Sequence, residues 1–196
     1  MIIIKHRINT VKELKQVPKQ YGIEIDIRSF KNELILQHDP FQKGELFKNW
    51  IKIFNHRLVV LNIKEEGLEK KVLQELNINK IENYFFLDQS FPFLVKTALN
   101  GEKRTAIRIS EYESINTAVS LTGKVSWIWV DFFTKLNLSK EEFLFLKKSG
   151  FNICFVSPEL QGLKEEINSL QEELIRKQIY PDAVCTKMIE NWVNFE

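Results

Sequence analysis

An α/β fold, specifically a compact (β/α)8 TIM barrel of parallel strands and short helices, is the architecture this sequence predicts. Short apolar runs of strand character alternate strictly with helix-period segments from one end of the chain to the other. There are eight such runs around seven helical segments, so each unit takes about 24 of the 196 residues. No glycine-rich turn follows the first strand, which argues against the alternative, an open doubly wound nucleotide-binding sheet. A length of 196 residues is that of one domain, 1–196, and is short beside the roughly 250 residues usual for such a barrel. The helices must be brief and the loops trimmed.

The strands fall at 2–6, 23–28, 58–64, 84–88, 105–110, 126–132, 152–157 and 182–187. Each is a run of β-branched and aromatic residues bounded by polar or turn residues. The helices fall at 10–20, 46–54, 68–76, 91–99, 114–121, 139–148 and 163–178. Ser139-Lys140-Glu141-Glu142 is a capping box, and Gly150 provides the left-handed stop for that helix. Leu163, Ile167, Leu170 and Leu174 make one apolar stripe for packing on the sheet. The rhythm breaks only at 29–40. There Phe30-Lys31-Asn32-Glu33 reads as a turn, and Leu34-Ile35-Leu36 as a short returning strand that delivers His38.

Composition narrows the function classes. Hydrophobic residues make up 44% and charged residues 28%, with a net charge of +2, as in an ordinary soluble domain. The charges are interspersed, so no clustered basic face for nucleic acid is expected. Lys5, His6 and Arg7 cut the first apolar run short of a signal-peptide core, and nothing approaches the roughly 18 apolar residues of a membrane span. Cys154 and Cys185 sit in apolar runs without a motif and read as buried, reduced thiols. A cytoplasmic location follows as the expectation.

Chemistry concentrates in the first 65 residues. Ile23-Glu24-Ile25-Asp26-Ile27-Arg28 alternates perfectly, so Glu24, Asp26 and Arg28 share one face and the isoleucines the other. Same-face neighbours lie about 6–7 Å apart along a strand, close enough for two carboxylates to converge on one hard cation. The alternative is a polar face that simply meets water. His6-Arg7 ends the first strand, and His38-Asp39-Pro40 follows the returning strand; either histidine could instead be an ordinary loop residue. His56 has no such context. Asn62 and Lys64 share a face of the third strand, where a lysine suits an anion such as phosphate or pairs with Glu65 and Glu66. Arg108, Ser110, Glu111, Asp131 and Lys187 also fall at strand ends and would ring the same mouth, where active sites of such folds are built. Trp127, Trp129 and Phe91 serve the core, with a sugar or glycerol subsite as the alternative.

His6-Arg7, Glu24-x-Asp26 and His38-Asp39-Pro40, in that order and spacing, resemble the glycerophosphodiester phosphodiesterase family, a (β/α)8 barrel related to phosphatidylinositol-specific phospholipases C. The family's usual opening is His-Arg-Gly, a Glu-x-Asp pair, His-Asp, then Glu-x-Lys on the next barrel strand. Two positions depart: Ile8 stands in place of the glycine, and Asn62-Ile63-Lys64 in place of Glu-x-Lys. The resemblance implies a small-molecule phosphodiester as substrate, glycerophosphodiester-like or glycan-linked. It implies His6 and His38 as acid and base and Arg7 and Lys64 on the phosphate oxygens; Arg108 and Lys187, read from their places at strand ends, are the further candidate substrate ligands. It further implies Ca2+ or Mg2+ on Glu24, Asp26 and Asn62, whose amide oxygen calcium accepts, with Glu65 or Glu111 as stand-ins from a loop. The two departures keep open a phosphate-ester binding protein without catalysis, and a third reading is a metal-independent phosphodiester lyase.

Overall fold

A computed structural model describes residues 1–195. In chain order the elements are β1 (Ile2–Lys5), α1 (Val11–Leu14), β2 (Gly22–Phe30), β3 (Glu33–Leu36), β4 (Glu45–Leu46), α2 (Phe47–Ile51), β5 (Val59–Ile63), α3 (Glu69–Ile78) and β6 (Tyr84–Leu87). There follow α4 (Phe91–Leu99), β7 (Ala106–Ile109), α5 (Ile115–Ser120), β8 (Trp127–Val130), α6 (Lys140–Lys148), β9 (Asn152–Val156), a 3-10 turn (Pro158–Gln161), α7 (Glu166–Lys177), β10 (Ala183–Thr186) and α8 (Ile189–Trp192). The α/β class and all eight predicted strands are present. The chain divides into two compact units, one of residues 5–102 and one of residues 1–4 with 103–196.

In the 5–102 unit the strand order is β4-β3-β2-β5-β6. β2 pairs in parallel with β5, and β5 with β6, while β2–β3 and β3–β4 are antiparallel. The β2–β3 turn is made by Lys31 (φ 48°) and Asn32 (φ 65°), the paired left-handed residues of a type I′ hairpin. The returning strand read from the sequence is therefore β3. Ile23, Ile25 and Ile27 are wholly buried and pack with Phe47, Trp50, Val72 and Leu76. Each buried isoleucine contributes roughly 1.5–3 kcal/mol, which commits that face of β2 to the helices and turns the acidic face the other way.

In the second unit β10, β9, β8 and β7 are parallel neighbours in that order, with β1 beside β10 through Ile2 N–H to the Asp182 carbonyl at 2.8 Å. The Ser139–Glu142 capping box forms as predicted, and Gly150 takes φ 90° just past the helix. Ile167, Leu170 and Leu174 are the buried stripe of α7, whereas Leu163 precedes the helix. Both cysteines are buried and outside any disulfide, and burial pushes the Cys154 thiol up. Trp127 and Trp129 are core residues, while Phe91 is 49% exposed.

The helix predicted at 10–20 is the main difference. Only Val11–Leu14 is helical, capped by a Thr10–Glu13 box, because the segment then breaks into turns ahead of Pro18. Among the described residues no helix is long and apolar enough to cross a membrane.

Candidate active site

The end of β1 carries the first components. Arg7 takes φ 55°, so the left-handed residue of this turn is the arginine itself and not a glycine after it. Ile8 is buried; its N–H donates to the Glu24 carbonyl at 2.9 Å, and its carbonyl accepts from the Trp50 indole at 3.1 Å. The departure at Ile8 is thus absorbed by the core.

β2 presents the two carboxylates. Glu24 is 1% and Asp26 0% exposed, so this polar face does not meet water. Glu24 Oε2 accepts from the Arg7 N–H at 2.7 Å and lies 3.7 Å from His6 Nε2; its Oε1 accepts from Asn62 Nδ2 at 2.9 Å. Asp26 is clamped by Asn9, whose Nδ2 donates to Oδ2 at 2.8 Å while its Oδ1 accepts the Asp26 N–H at 2.9 Å. Arg7 Nε stands 3.4 Å from the same Oδ2. Burial, and then the neighbouring Asp26 charge, push the Glu24 carboxyl up to about 7, although Asn62, the Arg7 N–H and Lys64 oppose the rise.

β5 runs alongside in a register that pairs Asp26 with Asn62. Lys64 Nζ lies 3.4 Å from Asp26 Oδ1 and 3.6 Å from Asp88 Oδ2. Asp88 stands at the end of β6 with φ 57°. A groove of about 230 Å3, lined by Lys64, Glu66, Glu69, Asp88 and Ser90 among others, opens this corner to solvent.

His38 follows β3, which continues along β2 through the Gln37 N–H to the Asp26 carbonyl at 3.0 Å. The Arg28 guanidinium donates to the His38 carbonyl at 3.0 Å and to the Lys64 carbonyl at 3.2 Å, tying the two segments together. His38 Nδ1 and Asp39 Oδ1 are 2.8 Å apart, and that hydrogen bond, with the charges of Arg7 and Arg28, lowers the Asp39 carboxyl.

His6, Arg7, Glu24, Asp26, Asn62 and Lys64 therefore form one contact network, to which Arg28 links His38. Arg108 and Lys187 belong to the other unit. There Arg108 pairs with buried Asp131 and, at 3.9 Å, with Glu113, and the Lys187 N–H donates to Glu159 at 2.9 Å. The loop stand-ins are otherwise engaged. Glu65 accepts from Ser29, and Glu111 accepts from the Thr134 and Lys135 N–H groups, which hold its carboxyl near 2. Asn9, Trp50 and Asp88 escaped the sequence reading because their parts are tertiary; the only local signal was an asparagine just before the Thr10 cap.

The donor set fits a hard divalent cation. Among the described residues, Asn62 Oδ1 is buried without a hydrogen-bond partner, and Asp26 Oδ1, also buried, has none beyond its ion pair with Lys64. Two carboxylates and an amide oxygen suit calcium or magnesium. Among the described residues no group of three or more His, Cys, Asp or Glu gathers at metal-ligand geometry, so a third side-chain donor beside Glu24 and Asp26 would have to be the Asn62 amide.

Solved structures give the fold its class. A glycerophosphodiester phosphodiesterase from Thermotoga maritima is similar with TM-score 0.75 at 19% identity, over 100% of this chain and 98% of that one. A glycerophosphoryl diester phosphodiesterase from Parabacteroides distasonis gives 0.68 at 13%, covering 97% and 84%. One from Agrobacterium tumefaciens gives 0.67 at 14%, covering 94% and 95%. No protein-family model and no curated sequence matches the chain. The chain has the α/β fold of the glycerophosphodiester phosphodiesterases.

Proposed function

We propose that the protein is a phosphoric diester hydrolase acting on a glycerophosphodiester-like or glycan-linked diester that carries a hydroxyl next to the phosphate. The observation behind this is the pair of buried carboxylates, Glu24 and Asp26, with His6, Arg7, Asn62 and Lys64 gathered on them. The strict alternation and the likeness over 100% of the chain support one domain, 1–196, with its strands closed into a (β/α)8 barrel. Two buried cysteines outside any disulfide support a cytoplasmic setting.

Glu24, Asp26 and Asn62 Oδ1 would hold Ca2+ or Mg2+. The cation, when bound, lowers the pKa of the attacking hydroxyl and neutralises a phosphate oxygen. The rest belongs to the chain. One of His6 and His38 takes the hydroxyl proton as the new P–O bond forms. The other protonates the leaving alcohol as the old P–O bond breaks, and water then opens the cyclic phosphate with the roles exchanged. Asp39, on Nδ1 of His38, leaves Nε2 of that ring to the substrate. Arg7 and Lys64 take the non-bridging oxygens as charge develops.

The test is hydrolysis of glycerophosphodiesters and of a nitrophenyl diester that keeps a hydroxyl next to the phosphate, with Ca2+ or Mg2+ and with chelator. His6→Ala and His38→Ala should each cost about 10²–10⁴-fold in kcat. Activity that survives both substitutions, or no turnover of any diester with either cation, overturns the proposal. The metal-independent lyase is favoured by the Arg7 and Lys64 cations already standing against Asp26. Full turnover in chelator with a cyclic phosphate product would select it.

A further inference from the structure

We propose that Asp88 is a positioning residue that acts through Lys64: it draws the ammonium off Asp26 so that a divalent cation can take that carboxylate. This rests on the cation site of the proposed function. Asp26 Oδ2 is already held by Asn9 at 2.8 Å and faces Arg7 at 3.4 Å. Oδ1 is the oxygen left for a metal, and it is the one Lys64 occupies at 3.4 Å.

Lys64 and a cation therefore compete for one atom. Both of the lysine's contacts are longer than the 2.7–2.9 Å or so of a tight ammonium–carboxylate hydrogen bond, so the charge is shared between Asp26 and Asp88 and not committed to either. The environments of the two partners differ. Asp26 is 1% exposed at its side chain and Asp88 26%, so an ammonium displaced toward Asp88 moves toward solvent and into the groove that Lys64 and Asp88 line. Glu24 and Asp26 would hold the divalent cation, whose charge would disfavour Lys64 at Asp26, and Asp88 offers the ammonium its other carboxylate partner. Without Asp88 the ammonium has Asp26 as its remaining carboxylate partner among these two, and the cation must displace it.

Asp88→Asn tests this with little risk to the fold, because asparagine is among the residues that tolerate the left-handed φ of 57° at this position. Calorimetric titration with Ca2+ should show Asp88→Asn binding about tenfold more weakly, within the usual range of coupling between sites. Lys64→Met should bind more tightly than the parent, since the competitor is gone. The deciding arm is the double variant. If Asp88 acts through Lys64, adding Asp88→Asn to Lys64→Met changes the Ca2+ affinity less than about twofold. A tenfold loss that persists without the lysine means that Asp88 attracts the cation directly, and overturns the inference. So does an unchanged affinity in Asp88→Asn while the parent binds Ca2+ normally. If the parent itself binds neither Ca2+ nor Mg2+, the cation site of the proposed function fails, and this inference with it.

Discussion

Raising the pH through neutrality should weaken this fold by way of one side chain, Glu24, and Glu24→Gln isolates the effect. Burial and the Asp26 charge hold this carboxyl at about 7 in the folded protein, against 4.5 ordinarily. The folded state thus keeps a proton that the unfolded chain releases near pH 4.5. The stabilisation is intact below that pH and is lost as the pH rises through about 7. The gap between the two values corresponds to about 3 kcal/mol, and a side chain with 1% exposure needs no discount for solvent screening. For 196 residues that is roughly 6–12 °C in Tm. Urea unfolding in chelator at a series of pH values between 4.5 and 8.5 measures it. The parent should lose about 3 kcal/mol more across that range than Glu24→Gln does. Calcium added at the alkaline end should restore most of the loss in the parent and little in the variant, since a ligand that binds only the folded state stabilises it. Equal pH slopes for parent and variant would show that the Glu24 proton is not linked to folding, and the electrostatic account of the site would be wrong.

Two further substitutions probe how the site is held. Asn9→Ala removes both arms of the clamp on Asp26 and leaves its N–H buried without a partner, so stability should fall by roughly 1–3 kcal/mol and Ca2+ affinity with it; calorimetry beside thermal unfolding checks both. Gly44→Ala puts a Cβ 2.2 Å from the Leu36 carbonyl oxygen at the base of the loop that bears His38. Turnover should drop and stability fall by about 1–3 kcal/mol while Ca2+ affinity holds, and an equal loss of affinity would mean that the loop and the carboxylates are not separable.

What was legible in the chain follows from the range of the forces involved. The alternation in β2 is a period-two signal, and both faces came out as read. Which face packs under the helices was not local information. It was decided by Trp50, Phe47 and Val72, which cover the isoleucines from 20 or more positions away. The Lys31-Asn32 turn and the Ser139 capping box were readable because each is complete within a few residues. The helix expected at 10–20 failed for the opposite reason: the apolar residues Val11, Leu14 and Val17 have helical spacing, yet Pro18 lies just beyond and α1 closes at Leu14. Arg108 was expected among the substrate ligands, and nothing near it in sequence announces its pairing with Asp131.

The two departures from the family pattern are not of equal weight, and the difference bears on whether the site is built for chemistry. At the first, the left-handed residue of the turn is Arg7, at a cost on the order of 1–2 kcal/mol for a residue with a Cβ. In the same turn the Arg7 N–H reaches Glu24 Oε2, the Ile8 N–H reaches the Glu24 carbonyl, and the Ile8 side chain joins the core. Nothing that faces the carboxylates is lost. At the second, a carboxylate is replaced by an amide whose Nδ2 donates to Glu24 and whose Oδ1 is left without a donor in a buried position. A buried amide oxygen with no partner costs about 1–3 kcal/mol, and a site that served only to bind an anion would gain nothing from keeping it. A cation between Asp26, Glu24 and that oxygen would satisfy it. In that arrangement the amide would set the preference toward the larger, more permissive ion, and side-by-side titrations should place calcium ahead of magnesium.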